Sequence, residues 1–360
     1  MKTAVLLSGG VDSSVALREL QAQGRHQLTA FYLKIWLEDE LSFLGECPWE
    51  EDLAYARAVC DQAGVQLKVL PLQAEYYEKV VEYALKELKA GHTPSPDIFC
   101  NQRVKFGAFY DKVGEEFDLV ASGHYGVVRH EQGVAKLFRS PDPVKDQSYF
   151  LSHLSQQQLS RIAFPIGAYS KAHVRALAQH YNLANKDRKD SQGICFLGKI
   201  KYNDFVGHYL GYRAGSIVDR ESGKILGEHK GFWFHTIGQR SGLGLGNGPW
   251  YVVGKDLDSN VVLVSHQQHR GDQNRTNFVV GNLTWIHRPP QLGEQLTCKL
   301  RHGPELLECR VEPVPGPTLV EPRLRVVLGK GDLGIAPGQF SVFYSGEECL
   351  GAGMILSVLE

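Results

Sequence analysis

Over the first third of the chain, short apolar runs alternate with segments whose apolar residues recur every three to four positions. Residues 3–7, 28–33, 67–70 and 119–122 have the length and composition of buried strands. Between them, helical spacing runs from Ser13 to about residue 23, from Glu50 to Ala63 before Gly64, and from Ala74 to Lys89 before Gly91. Strands interleaved with helices predict an α/β fold, a doubly wound parallel sheet covered on both faces. Ligands in such sheets gather outside the carboxyl ends of the strands. Gly9-Gly10 lies at that edge.

Beyond about residue 205 the helical period fades. Short β-like runs take over at 250–253, 261–265, 296–300, 323–328 and 340–344, separated by glycine, proline and asparagine. This texture predicts two small β-rich modules, the last a β-barrel. A chain of 360 residues exceeds one ordinary core. We therefore expect three domains, at 1–204, 205–276 and 277–360.

Composition narrows the class. The chain is 43% hydrophobic and 22% charged, as in soluble globular proteins. No apolar run reaches the roughly 18 residues a membrane span requires. The amino terminus lacks a signal-peptide cleavage pattern, so a cytoplasmic location is expected; a monomer is expected as well. A formal net charge of −1 gives no global attraction to nucleic acid, and any such contact must come from local patches. None of the seven cysteines forms a Cys-x-x-Cys pair, which argues against zinc and thioredoxin-like chemistry. Most should be buried thiols, Cys60 in its helical run among them.

The candidate chemistry begins at Ser8-Gly9-Gly10-Val11-Asp12-Ser13-Ser14, between the first strand and the first helix. Glycines let the backbone turn tightly and aim N–H groups at an anion, and the helix start adds partial positive charge. The serine hydroxyls can donate to phosphate oxygens, and Asp12 can help hold a bridging Mg²⁺. The string lacks the Gly-Lys-Ser/Thr ending of a Walker loop and the glycine spacing of a dinucleotide fingerprint. It resembles the PP-loop of the ATP pyrophosphatase superfamily. That resemblance implies cleavage of ATP between its α and β phosphates and transfer of AMP to a substrate oxygen.

Two later strings, Thr93-Pro94-Ser95-Pro96-Asp97-Ile98-Phe99-Cys100-Asn101 and Asp190-Ser191-Gln192-Gly193-Ile194-Cys195-Phe196, narrow the resemblance. With Ala121-Ser122-Gly123-His124-Tyr125, Lys145-Asp146-Gln147-Ser148-Tyr149-Phe150 and His235-Thr236-Ile237-Gly238-Gln239-Arg240, the whole chain is similar to the tRNA 2-thiouridylases of bacteria and organelles. The resemblance implies that Cys195 carries sulfur as a persulfide and that Cys100 is the second thiol, closing a disulfide with Cys195. Lys105, Lys186, Arg188 or Lys189 would supply cations that lower a thiol pKa. Asp97 would lie against the target base.

The same resemblance implies ATP contacts at Leu6, Leu7, Ser8, Gly9, Gly10, Val11, Asp12, Ser13, Ser14, Leu33 and Gly123. Contacts with tRNA would come from Ser95, Pro96, Asp97, His124, Lys145, Asp146, Gln147, Arg301, His302 and Gln339. Ser95 stands where this motif usually has asparagine, and His302 where tyrosine is frequent. The implied partners are the anticodon arm of tRNA and a sulfur-carrier protein or cysteine desulfurase. An amidating PP-loop ligase, a tRNA thiolase of different architecture and a nucleotide-sensing protein without activity remain as alternatives. Of these, the ligase would leave Cys100 and Cys195 without a task.

Overall fold

The computed structural model describes residues 1–35, 49–190, 200–291, 293–316 and 321–359. Five parallel strands form the first sheet: β1 (Lys2–Leu6), β2 (Gln27–Lys34), β3 (Leu67–Pro71), β4 (Leu119–Ser122) and β7 (Ile162–Ala163). Their order is β3-β2-β1-β4-β7, so the chain steps outward from β1 and then returns to its other side. The gap between β1 and β4 is therefore the switch point, where carboxyl ends diverge and open a crevice.

Alternation along the strands fills both faces. Ala4, Leu6, Phe31 and Val120 point to one side, with Phe106, Phe109 and Phe117. Val5, Leu7, Ala30, Tyr32 and Ala121 point to the other, against α1 (Val11–Ala22), α2 (Trp49–Ala63) and α5 (Lys171–His180). A period of two in a fully covered sheet produces continuous apolar runs, as the sequence has them. Cys60 sits in the second layer at 2% exposure, in the core role expected of it.

Two helical stretches depart from simple α geometry. The helix over 73–89 (α3) takes a wide turn at Tyr77–Val81, and the helix over 96–113 (α4) does so at Cys100–Ala108. A wide turn shifts each carbonyl's partner by one residue and frees some carbonyls. Gln158 Nε2 donates to two of them, Gln102 O and Phe106 O, each at 2.7 Å. Gly107 is suited to the crowding, since a Cβ there would lie 2.8 Å from Gln102 O.

A four-stranded sheet follows, in the order β10-β11-β8-β9, from β8 (Gly215–Asp219), β9 (Ile225–His229), β10 (Trp250–Asp256) and β11 (Val261–His266). It encloses its own small core of Ile217, Phe232, Leu243, Val252, Val262 and Val264. Lys255 docks it to the end of α3, donating to Gly91 O at 2.8 Å.

Six antiparallel strands then close a barrel: β12 (Arg275–Trp285), β13 (Leu296–Lys299), β14 (Leu307–Val314), β15 (Arg323–Asp332), β16 (Phe340–Ser345) and β17 (Glu348–Leu359). The order β12-β15-β14-β13-β16-β17 is closed by β12 pairing with β17. A hairpin of β5 (Val127–Glu131) and β6 (Val134–Phe138) leaves the first domain and pairs with β17 through Phe138 and Leu137. Strand β16 is thereby buried on both sides. Phe343 faces the barrel interior, while Phe340, Val342 and Tyr344 join Phe99, Leu137 and Tyr149 in the core of the first domain.

At this seam Lys299 and Asp146 form an ion pair at 2.7 Å with both side chains at 0% exposure. Asp146 also accepts from Ser140 N at 3.1 Å and from Ser148 N at 3.2 Å. Removing Lys299 leaves the buried carboxylate with only the more distant Arg139, 3.6 Å from Oδ2, whereas removing both leaves Arg139 its second partner, Glu347. Lys299→Met should therefore destabilise the protein by about 3–5 kcal/mol. Asp146→Leu combined with Lys299→Met should recover a large part of that loss. Urea unfolding of the two variants reads the difference.

Candidate active site

The loop after β1 is built as a cup of backbone. Ser13 Oγ and Ser14 Oγ both donate to Gly10 O, at 3.1 and 2.9 Å, and Ser8 N donates to Ser13 Oγ at 3.2 Å. These bonds turn the hydroxyls back on the loop and hold its shape at the start of α1. Gly9 has φ +75°, and a Cβ there would lie 2.2 Å from Asp52 O. Glycine is thus required both by its backbone angle and by the close approach of α2. Leu6, Leu7 and Val11 are buried beneath the loop, Ser8 is exposed, and Leu33 packs half-buried at the end of β2.

Gly123, at the end of β4, has a structural reason of its own. A Cβ there would meet Ser13 N at 2.6 Å and Asp12 C at 2.7 Å. Two strand ends and the start of a helix are thus drawn together at the switch point. The contact is with the loop itself, closer than the nucleotide approach expected for this glycine.

Asp12 is held by two donors on one oxygen. Tyr125 Oη donates to Oδ1 at 2.9 Å, and Lys171 Nζ lies 2.6 Å from the same atom. Oδ2 has no hydrogen bond among the described residues. A carboxylate with one oxygen fixed and the other open fits a monodentate Mg²⁺ ligand, whereas the hydroxyl protons of Ser13 and Ser14 are already given to Gly10 O. Lys171 also reaches Asp190 Oδ1 at 2.8 Å, where Arg175 Nη2 arrives at 2.5 Å, and Lys145 Nζ lies 2.6 Å from Asp190 Oδ2. Burial opposes ionisation of Asp190, but the hydrogen bonds from Lys145 and Lys171 prevail and hold its carboxyl down at about 2.

Sequence reasoning missed several of these residues. Lys171 and Arg175 belong to an ordinary-looking helical string that nothing local marks, and Tyr125 ends the string Ala121–Tyr125 with no role expected of it there. Asn185 is also new: its Nδ2 donates to Gly9 O at 2.8 Å and to Ser14 Oγ at 2.9 Å from a position 1% exposed. Arg188, proposed as a cation for a thiol, instead donates to Gly9 O at 3.1 Å and pairs with Asp52. Lys186 turns to Asn182 Oδ1 at 2.6 Å.

The Cys100 side of the crevice is set by α4. Cys100 is 2% exposed, in a cluster with Val80, Val104, Ile200 and Phe205. Asp97 precedes it in the first turn, with its carboxyl pKa raised by burial and pulled back by Lys105. His124 is also under the influence of Lys105; burial, then that cation, keep its ring neutral. Its Nδ1 bonds Ser122 Oγ at 2.8 Å. Lys105 thus links the Asp97 side to the β4 end. Cys195 and Cys47 lie outside the described residues.

The segment 145–150 runs from this site to the barrel. Lys145 is engaged with Asp190, and Gln147 is tied twice to Tyr125, through Oε1 at 2.9 Å and its own N–H at 2.8 Å. Asp146, expected to contact tRNA, is 1% exposed as a whole residue and turns its carboxylate inward to Lys299. Phe150 stacks on His302 with centroids 4.8 Å apart. Arg301 forms a two-pronged pair with Asp332 at 3.0 and 2.6 Å, yet its side chain is half exposed. Gln339 lies in the turn that receives the N–H of Thr93 on Pro337 O at 2.8 Å. Residues far apart in the chain therefore meet along one seam between sheet and barrel.

Comparisons with known proteins agree along the full length. Residues 1–199 match the family described as tRNA methyl transferase HUP domain, residues 203–266 the tRNA methyl transferase PRC-barrel domain, and residues 275–355 the Aminomethyltransferase beta-barrel domain. The chain is 41% identical to the tRNA-specific 2-thiouridylase MnmA of Parabacteroides distasonis over 99% of both chains. It is 43% identical to tRNA-specific 2-thiouridylase MnmA 2 of Bacteroides fragilis, over 99% of this chain and 100% of that one. Its identity to the tRNA-specific 2-thiouridylase MnmA of Porphyromonas gingivalis is 40%, over 99% of both chains.

Two substitutions test the geometry. Gly123→Ala forces a methyl against the backbone of Ser13, and should cost about 1–3 kcal/mol of stability and weaken nucleotide binding. Calorimetry of unfolding and of nucleotide titration checks both; unchanged values would mean the strand end has room to move. Asp97→Asn has a pH signature. Because the folded-state pKa of Asp97 is raised above 3.8, its contribution to stability is full below that value and is lost as pH rises through the folded value. The variant should therefore be more stable than the parent at pH 7, and the gain should shrink as pH falls toward 3.8.

Proposed function

The chain belongs to the tRNA-specific 2-thiouridylase family, and from that premise we propose that it thiolates C2 of the wobble uridine in tRNAs for lysine, glutamate and glutamine. The uracil C2 oxygen attacks the α-phosphorus of ATP, and pyrophosphate leaves. The oxygen, now an AMP ester, becomes a good leaving group. The terminal sulfur of a Cys195 persulfide attacks C2 and AMP departs. The Cys100 thiolate then attacks Sγ of Cys195, the persulfide bond breaks, and its electron pair completes the C2 thiocarbonyl. A disulfide between the two cysteines is left, to be reduced by an external thiol.

The convergence of the ATP loop with the Cys100 helix at the β1–β4 switch point is the observation that carries this reading. Gly123 abuts Ser13, and its neighbour His124 feels the charge of Lys105, five residues beyond Cys100. Asp190 is anchored at the loop and Ile200 in the Cys100 cluster, and Cys195 is five residues from each. Bound Mg²⁺ would supply charge neutralisation for the phosphates, with Asp12 as its protein ligand. Asp97, its carboxyl pKa raised by burial, would exchange a proton at the base.

The partners in this reading are the anticodon arm, where a loop base is splayed out at modest cost, and a sulfur carrier or desulfurase that loads Cys195. Half-exposed Arg301 and His302, with Lys145 and Gln339, line the seam such an arm would follow.

The decisive assay incubates the protein with ATP, Mg²⁺, a sulfide source and unmodified tRNA, then analyses nucleosides by mass spectrometry. We expect 2-thiouridine from the parent and none from Cys195→Ser, which should still bind ATP and tRNA. Full turnover by Cys195→Ser would remove the persulfide route. Amidation of a small molecule with no thiolated nucleoside would replace the reading with that of a PP-loop ligase.

A further inference from the structure

A cleft of about 680 Å³ opens between α3, α4 and the barrel. Its size suits a small molecule, and none of the residues assigned above to ATP or tRNA lines it. The floor is apolar. Phe99 of α4 meets Phe340 of β16 edge to face, with centroids 5.6 Å apart, and Leu283 and Met354 extend the surface.

Two donors stand over this floor without an acceptor. The half-buried Arg103 rests its guanidinium 3.7 Å from the centre of the Phe99 ring and gives Nη1 to Lys79 O at 3.1 Å. These contacts fix the fork in place, yet no carboxylate pairs with it among the described residues. Burial pushes its pKa down, and only Tyr83 opposes that. The second donor, His153, is 4% exposed and meets Phe340 at 4.7 Å and Phe99 at 5.8 Å between centroids. Neither ring nitrogen has a hydrogen bond among the described residues, and Nδ1 is enclosed. An enclosed N–H without an acceptor is costly, so the proton belongs on Nε2, the nitrogen left to the cleft. Burial, then the charge of Arg103, hold the ring neutral, with a pKa of about 3.

A fixed guanidinium without a counter-charge and a neighbouring imidazole N–H both call for an anion, and one carboxylate can accept from both. The α3 wall limits what else that anion carries. Glu78 and Glu82 are exposed there beside Lys86, and Glu87 is held by His92 at 2.8 Å. Carboxylates on that wall repel a polyanion such as a phosphate chain or an RNA backbone, but tolerate one negative charge placed at Arg103. We propose that this cleft binds a small monocarboxylate with an apolar body, its carboxylate between Arg103 and Nε2 of His153 and its body on Phe340, Leu283 and Met354. The ligand would bear on α4, where Phe99 and Arg103 flank Cys100. The site is independent of the thiolation reading.

The test titrates phenylacetate, phenylacetamide and phenethylamine into the parent, Arg103→Met and His153→Phe by calorimetry. The three probes share one ring and differ in the charge of the head group. We expect the parent to bind phenylacetate saturably and about ten-fold or more tighter than the other two. Arg103→Met should weaken phenylacetate about ten-fold and His153→Phe about three-fold, with ATP binding unchanged. No saturable binding, equal binding of all three probes, or tighter binding of phenethylamine overturns the proposal. Displacement of phenylacetate by AMP also overturns it, because the acid would then lie at the ATP loop. Should Arg103→Met fail to fold, the parent labelled with nitrogen-15 histidine serves instead. Phenylacetate should shift the resonance that His153→Phe lacks and spare those of the other histidines; an unmoved His153 signal overturns the assignment.

Discussion

The buried pair of Lys299 and Asp146 holds together everything on which the site depends. Two charges at 0% exposure sit 2.7 Å apart at the seam between sheet and barrel. Desolvating them is expensive, and the arrangement persists because Asp146 also gathers the N–H groups of Ser140 and Ser148. Such a pair tolerates little displacement. It therefore fixes the register of 145–150, from Lys145 at the ATP loop to Phe150 against His302. Apolar packing of Tyr149 and Phe340 gives the seam its adhesion, but adhesion without direction would allow sliding. Charge supplies the direction.

Electrostatics at the loop follow a different logic. Asp190 is held ionised by neighbours on both oxygens, whereas Asp12 keeps one oxygen open. In a chain of net charge −1, Lys145, Lys171, Arg175 and Arg188 come from three separate segments to meet Asp12, Asp52 and Asp190 beside the loop. Tertiary structure here concentrates charge that composition disperses.

The fold was legible where one physical rule dominates. Strands of the first sheet were readable because burial on both faces makes them continuous apolar runs. The hairpin at 127–138 was not, since His130, Glu131 and Gln132 dilute its apolar signal and its partner strand lies some 200 residues away, at Leu137 and Cys349. The wide turn at Cys100–Ala108 was equally hidden, because it depends on Gln158 meeting freed carbonyls.

What the sequence determined by itself is the local chemistry. Gly9 imposes a turn through its positive φ, and the motif strings around the loop, Cys100 and Cys195 carry the family resemblance. Tertiary structure alone decided which charges face one another, that Asp146 turns inward while Lys145 reaches Asp190, and that Gly123 must yield space to Ser13. The division has a physical cause. Backbone angles and the chemistry of a side chain belong to a residue and its immediate neighbours. The desolvation, charge and close contact that set a residue's role are created only when distant segments meet.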